Sequence, residues 1–171
     1  MIMVRTEMKR YIIFYFLLCS NFLAASHDIS MADYEPLIHQ DAVKNILADC
    51  FSPIIADAVI ASLVDSIDSN AVVIMADDCA VGYSFYSYHY HEQNVGFIDF
   101  IGISSQHRKK KYATTLLNFV LNRMRHEGMQ EVQLVVAKEL QPAIDLYYGL
   151  GFWNIESYDE YFLKFSKSLI E

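Results

Sequence analysis

Cysteine is scarce in this sequence, with 3 in 171 residues. Cys19 lies in an apolar N-terminal stretch, so Cys50 and Cys79 leave one pair at most, and a disulfide-stapled scaffold is excluded. The two read as separate buried thiols. Basic residues are also few. Thirteen Lys and Arg stand against 21 Asp and Glu, for a net charge of -8. That acidity, with a single dense basic run at Arg108-Lys109-Lys110-Lys111, speaks against a nucleic-acid binder and fits a cationic partner. Internal repeats and low-complexity segments are absent as well. What the chain does have is apolar and aromatic material, 54% and 14% of its residues, enough for one good core and hence one domain.

The first 26 residues differ in composition from the rest. Arg5, Lys9 and Arg10 precede the apolar run 11–19, and Phe22-Leu23-Ala24-Ala25-Ser26 follows. A positive region, an apolar region and small residues are the three parts of a secretory signal peptide. Three readings stay open: a signal peptide over 1–26, an uncleaved membrane anchor over 11–25, or translation that starts at Met31. The anchor is short of the roughly 20 apolar residues a span needs, and Ser20 and Asn21 interrupt it. The first reading implies export, the second membrane attachment, the third a cytoplasmic protein. Leu17-Leu18 before Cys19 are not the small residues that lipid attachment usually wants. Residues 27–33 are expected to be a linker and 34–171 the globular domain.

Helical spacing runs over 39–49, with Val43, Ile46 and Leu47, and over 53–65, with Ile55, Val59, Ile60 and Leu63; Pro53 is a good helix opening. The β-branched run 71–76, a turn at Asp77-Asp78 and a strand over 79–90 read as a hairpin, and a polar turn over 91–94 leads to a third antiparallel strand over 95–103. Ala113, Leu116, Leu117, Val120, Leu121 and Met124 then recur at helical spacing up to Gly128. Val132, Leu134 and Val136 alternate as a strand that lies parallel to 95–103 if the helix is a right-handed crossover. A helix from Pro142 to Gly151 and strands over 152–155 and 158–165 complete the chain.

The run 105–114 therefore sits between an apolar strand and an amphipathic helix, at the strand end where α/β proteins bind ligands. Amides at a helix N-terminus have no intrahelical partners and the helix dipole is positive there, so a phosphate can bind among them. Arg108 and the three lysines add charge. Downstream, the helix from Pro142 carries Ala143-x-x-Leu146-Tyr147-x-x-x-Gly151-Phe152.

Taken together, the two segments resemble the GNAT N-acetyltransferase superfamily. Arg108-x-x-Lys111-x-Ala113 is similar to its R-x-x-G-x-G/A acyl-CoA loop, and the second segment to its A-x-x-L-Y-x-x-x-G-F motif. The resemblance spans roughly 34–165. It implies an α/β fold with a mixed, mostly antiparallel sheet, a central splayed parallel pair and flanking helices. It also implies acetyl transfer from acetyl-CoA to a primary amine by direct attack, without a metal. The acceptor would be a small molecule or a protein, and the enzyme a monomer or homodimer. Two positions depart from the pattern: Lys111 stands where glycine is usual, and Leu140 where asparagine is frequent.

Residue by residue, the resemblance implies that Arg108, Lys109, Lys110, Lys111, Tyr112, Ala113 and Thr114 wrap the pyrophosphate. Main-chain groups of Ile101, Gly102 and Ile103 would meet the pantetheine arm, with Gly102 alternatively a strand kink. Tyr147 matches the general acid that protonates the departing thiolate; otherwise it is a core tyrosine, and Tyr148 is its less favoured neighbour. Asp99 is the candidate base that takes the amine proton, assigned to the same strand face as Ile101 and Ile103, or else a surface carboxylate. Tyr86, Tyr88 and Tyr90 form a ring stripe that packs or borders the amine pocket, and His89-x-His91 lacks the third ligand a metal needs. The rival readings are a non-catalytic acyl-CoA-binding or protein-interaction module and, from 11–25, a membrane-tethered interaction protein.

Overall fold

The computed structural model describes residues 28–51, 53–65, 69–89 and 94–170; the expectations for the leader, Tyr90 and His91 lie outside them. Seven strands and four helices form within the described residues: β1 (Ile29–Asp33), α1 (Pro36–Cys50), α2 (Pro53–Asp65), β2 (Ser69–Ala76), β3 (Cys79–His89), β4 (Val95–Ile103), α3 (Tyr112–His126), β5 (Glu131–Ala137), α4 (Gln141–Gly149), β6 (Trp153–Ser157) and β7 (Phe162–Ser168). One 3-10 turn, Ser105–His107, precedes α3. The strands make one sheet in the order β1-β2-β3-β4-β5-β7-β6. Only β4 and β5 pair in parallel; the other neighbours are antiparallel.

Local sequence accounts for most of the boundaries. Asp77 and Asp78 both take positive φ, 50° and 62°, the conformation that closes a two-residue hairpin without splaying its strands. α1 starts at Pro36, three residues before the apolar spacing begins, because proline in the first turn has no N–H to leave unpaired. Gly128, at φ 85°, ends α3 with the Met129 N–H donating to the Met124 carbonyl at 3.0 Å.

Two segments differ from expectation. Residues 27–33 include strand β1, paired from Ile29↔Ala76 to Asp33↔Val72, and Asp33 is held by the Arg123 guanidinium on α3. This edge strand is largely exposed, so it carries too little apolar alternation to stand out in the sequence. At the other end, 158–161 is a turn and not strand: the Asp159 carboxylate accepts the Tyr161 and Phe162 N–H groups at 2.7 and 2.8 Å, and β7 begins only at Phe162. The aspartate side chain supplies a local partner that competes with the ladder.

The core has two parts, one on each face of the sheet. On the first, Leu116, Leu117, Val120, Leu121 and Met124 of α3 and Ile144 and Tyr147 of α4 pack over Val132, Leu134 and Val136. Each large apolar side chain buried in this way contributes about 1.5–3 kcal/mol. On the second, Val43, Ile46 and Leu47 of α1 and Val59 and Ile60 of α2 pack over Val73, Tyr83 and Phe85. Tyr86 lies in the first layer, where its hydroxyl accepts a hydrogen bond from Arg123 at 3.2 Å, with Tyr88 edge-on to it at 5.8 Å. This pair packs under α3 and does not border the cleft described below. The cysteine expectation is also corrected: Cys50 is half-buried and Cys79 exposed, and both are free.

Candidate active site

β4 reaches Ile103 and β5 reaches Ala137, yet their ladder stops at Ile98↔Leu134. Beyond that pair the strands diverge. The reason lies on the opposite edge of β4, where Phe85 pairs with Phe100 but Tyr86 with Ile98, leaving Asp99 as an extra residue. A bulge of this kind bends its strand. It also corrects the simple alternation read from the sequence: Ile98 joins the α3 side of the core and Phe100 the α1 side. The divergence opens a cleft of about 580 Å³ through the sheet, lined from one side by Ala113, Ala143, Leu146 and Tyr147 and from the other by Cys50, Phe51 and Phe100. Asp99, Ile101, Gly102 and Ile103 form its β4 wall.

The basic turn stands where β4 runs into α3. Its backbone is unusual: Lys109 and Lys111 both have positive φ, 62° and 64°. Lys111, at ψ 10°, is the N-cap of α3 in left-handed conformation. Glycine reaches that region without the penalty of roughly 1–2 kcal/mol that a Cβ carries, which explains why a glycine pattern would fall on this position. The lysine takes the same backbone course with its side chain exposed. The first helical bond runs from Thr115 N–H to the Lys111 carbonyl at 3.0 Å, so the amides of Tyr112, Ala113 and Thr114 have no intrahelical partner. Tyr112 offers only that amide, since its ring is buried in the core. The Lys109, Lys110 and Lys111 side chains are exposed and take part in no ion pair among the described residues.

Arg108 behaves differently from its neighbours. Its Nε donates to the Ile103 carbonyl at 3.1 Å, its Nη2 reaches Cys50 Sγ at 3.6 Å and lies 3.8 Å from Asp49 Oδ2. Asp49 also accepts the Ser105 N–H at 2.7 Å, and that bond first, with the Arg108 charge last, pulls its carboxyl below the usual range. Through these contacts Arg108 ties the turn to β4 and to the end of α1.

Tyr147 reaches the cleft from α4. It is 6% exposed, packed against Phe152 and Phe165 with ring centroids at 5.8 and 6.1 Å, and burial pushes its phenol up to about 12. Its hydroxyl makes no hydrogen bond among the described residues. Tyr148 is half-exposed and stacks edge-on against Phe165, outside the cleft lining. Asp99 is exposed and lines the cleft. At Gly102 a Cβ would stand 2.7 Å from the Tyr83 ring, whose fully buried hydroxyl has no partner among the described residues. Glycine is required so that Tyr83 can pack flush against β4. Burial, then the neighbouring Cys50, push the Tyr83 phenol up.

Sequence reading missed several members of this site. Phe51, Phe100 and Phe162 present rings to the cleft and Glu139 a second carboxylate. Cys50, whose thiol is pushed up mainly by burial, lies between Arg108 and the Ile103 carbonyl, to which it donates at 3.8 Å. No motif spacing joins these residues; only the fold does. Among the described residues no group of three or more His, Cys, Asp or Glu could hold a metal ion.

The model of the acetyltransferase (GNAT) family matches residues 40–152, and the chain belongs to that family. N-acetyltransferase family 8 member 2 of Rattus norvegicus is 37% identical over 70 residues, which is 41% of this chain and 30% of that protein. The match thus spans under a third of the curated relative's length. Among solved structures, Ard1 from Thermoplasma volcanium superposes with a TM-score of 0.73 at 17% identity over 84% of this chain and 99% of the other. A PaiA N-acetyltransferase from Thermoplasma acidophilum, solved in complex with coenzyme A, gives 0.62 at 16% identity over 82% and 99%. These two likenesses are of fold.

Proposed function

We propose that the chain transfers an acetyl group from acetyl-CoA to a primary amine by direct attack in a ternary complex. The observation that carries this reading is the opening between β4 and β5, with unpaired amides at one end and a buried, protonated phenol on its wall. The residues fit such a co-substrate: left-handed Lys109 and Lys111 turn the backbone into a concavity that suits a pyrophosphate, and the lysine side chains add charge. Beyond Ile98, β4 backbone groups have no β5 partner to compete with a pantetheine arm. Acetyl-CoA supplies the activated acetyl group and a thiol leaving group.

The chain's own residues manage the protons. Asp99 takes one from the ammonium form of the acceptor, freeing the lone pair that forms the C–N bond. Tyr147 gives one to the sulfur as the C–S bond breaks, and is reprotonated by the second proton, which the nitrogen sheds, directly or through solvent, as it becomes an amide. A phenol near 12 is a weak acid for a thiolate whose ordinary value is about 8.5, but a thiolate released into the same apolar cleft is desolvated too. Cys50, in that lining, has its thiol pushed up for the same reason. Geometry then matters more than the solution difference.

Thiol release from acetyl-CoA, measured against polyamines, amino sugars, aromatic amines and peptides, tests the reading. Amine-dependent release with acetylated product supports it. Calorimetric binding of acetyl-CoA with no turnover on any amine replaces it with a non-catalytic acyl-CoA-binding module.

A further inference from the structure

The mouth of the cleft on the α1 side is lined mainly by apolar side chains. Phe51 and Phe162 are 44% and 39% exposed, and Val135 39%, although each is large and apolar and all three line the opening. β5 alternation sends Val132, Leu134 and Val136 into the α3 layer, which leaves Val135 and Ala137 on the opposite face. Phe162 pairs with Ala137 and so shares that face. Across the gap Phe51 meets Phe100 edge-to-face at 5.8 Å. Apolar groups left in contact with water around one opening mark a surface that a ligand covers. Among the described lining residues the charged side chains are the carboxylates Asp99 and Glu139, with no Lys, Arg or His.

From this arrangement we infer that the acceptor is a primary monoamine on a short aromatic or branched apolar stem, with its ammonium at Asp99 and its stem between Phe51, Phe100, Val135 and Phe162. The inference rests on the acetyl-transfer reading above and narrows its substrate. A ring stem would gain from the edge and face geometry of the three phenylalanines, and the ammonium from the carboxylate and nearby ring faces. A polyamine or amino sugar presents further charged or hydroxyl groups to the same apolar walls, where they lose water without gaining partners. A carboxylate on the acceptor would meet Asp99 and Glu139 with the wrong sign.

The test is a comparison of kcat/KM for phenethylamine, isoamylamine, spermidine, glucosamine and phenylalanine on the intact chain, beside a calorimetric titration of acetyl-CoA. Phenethylamine and isoamylamine are expected to exceed spermidine and glucosamine at least about tenfold, the scale on which apolar pockets discriminate. Phe162→Ala and Phe51→Ala, both at partly exposed positions, are expected to raise KM for phenethylamine about tenfold each while the acetyl-CoA titration stays as in the parent. Spermidine or glucosamine turned over ahead of the apolar amines overturns this inference and leaves acetyl transfer standing. Acetyl-CoA bound with no amine acetylated overturns both.

Discussion

The two ends of the cleft are built from different material. At the α3 end the polar groups offered are amides of the main chain, set by two left-handed lysines and a helix start. At the α1 end they are side chains, Asp99 and three phenylalanine rings brought together from the α1–α2 connection, β4 and β7. A backbone site depends on dihedrals and tolerates changes of side chain, so Lys111 can replace glycine as long as it accepts positive φ. A side-chain site depends on which groups converge and does not survive their replacement, even where the fold is unaffected.

Variants can break this contrast, and the largest effect belongs to Tyr147. Tyr147→Phe keeps the ring packing against Phe152 and Phe165 and removes only the hydroxyl proposed to donate the proton; kcat in the thiol-release assay is expected to fall about 100-fold with little change in acetyl-CoA affinity. The same residue fixes the alkaline behaviour. Burial raises its value to about 12, so the phenol stays protonated as pH passes 10, and the kcat profile shows no loss assignable to Tyr147 below about pH 11; a descending limb near 10 that vanishes in Tyr147→Phe contradicts this. Next is Asp99→Asn, which lowers kcat/KM about tenfold in the same assay; an unchanged kcat/KM makes water the base.

Smaller effects are expected at the backbone end. Arg108→Gln loses the bond to the Ile103 carbonyl and the contact with Asp49, and acetyl-CoA binding, followed by calorimetry, weakens about fivefold, roughly one hydrogen bond's worth. Lys111→Gly relieves the left-handed strain but frees the unfolded chain, leaving a gain of about 0.5 kcal/mol in denaturant unfolding. Lys111→Val, whose β-branched side chain suits positive φ worst, moves stability the other way.

Legibility followed the same division. The strand, turn and helix around 95–126 were visible because their signals are local: β-branched alternation, a basic turn and a heptad-like stripe that ends in glycine. The hairpin at Asp77-Asp78 and the break at Gly128 were equally local. Long-range relations were not visible. Arg108 reads as one more cation of its run until Asp49, far away in sequence, is seen to hold both it and the Ser105 amide. The Asp99 bulge leaves no mark in β4's composition, since one extra residue changes the facing of all that follow without changing what they are. Glu139 and Phe162 have no motif of their own, and only the β5–β7 register carries Phe162 to the opening.

One consequence follows from where Cys50 lies. Its thiol forms part of the lining and touches the arginine that fastens the basic turn, and burial keeps it in the slow-reacting neutral form. The rate at which an alkylating reagent labels this one sulfur is therefore a clock for cleft occupancy. Any molecule that fills the opening slows it, whether or not chemistry follows, so ligands can be ranked by protection alone before a single product has been identified.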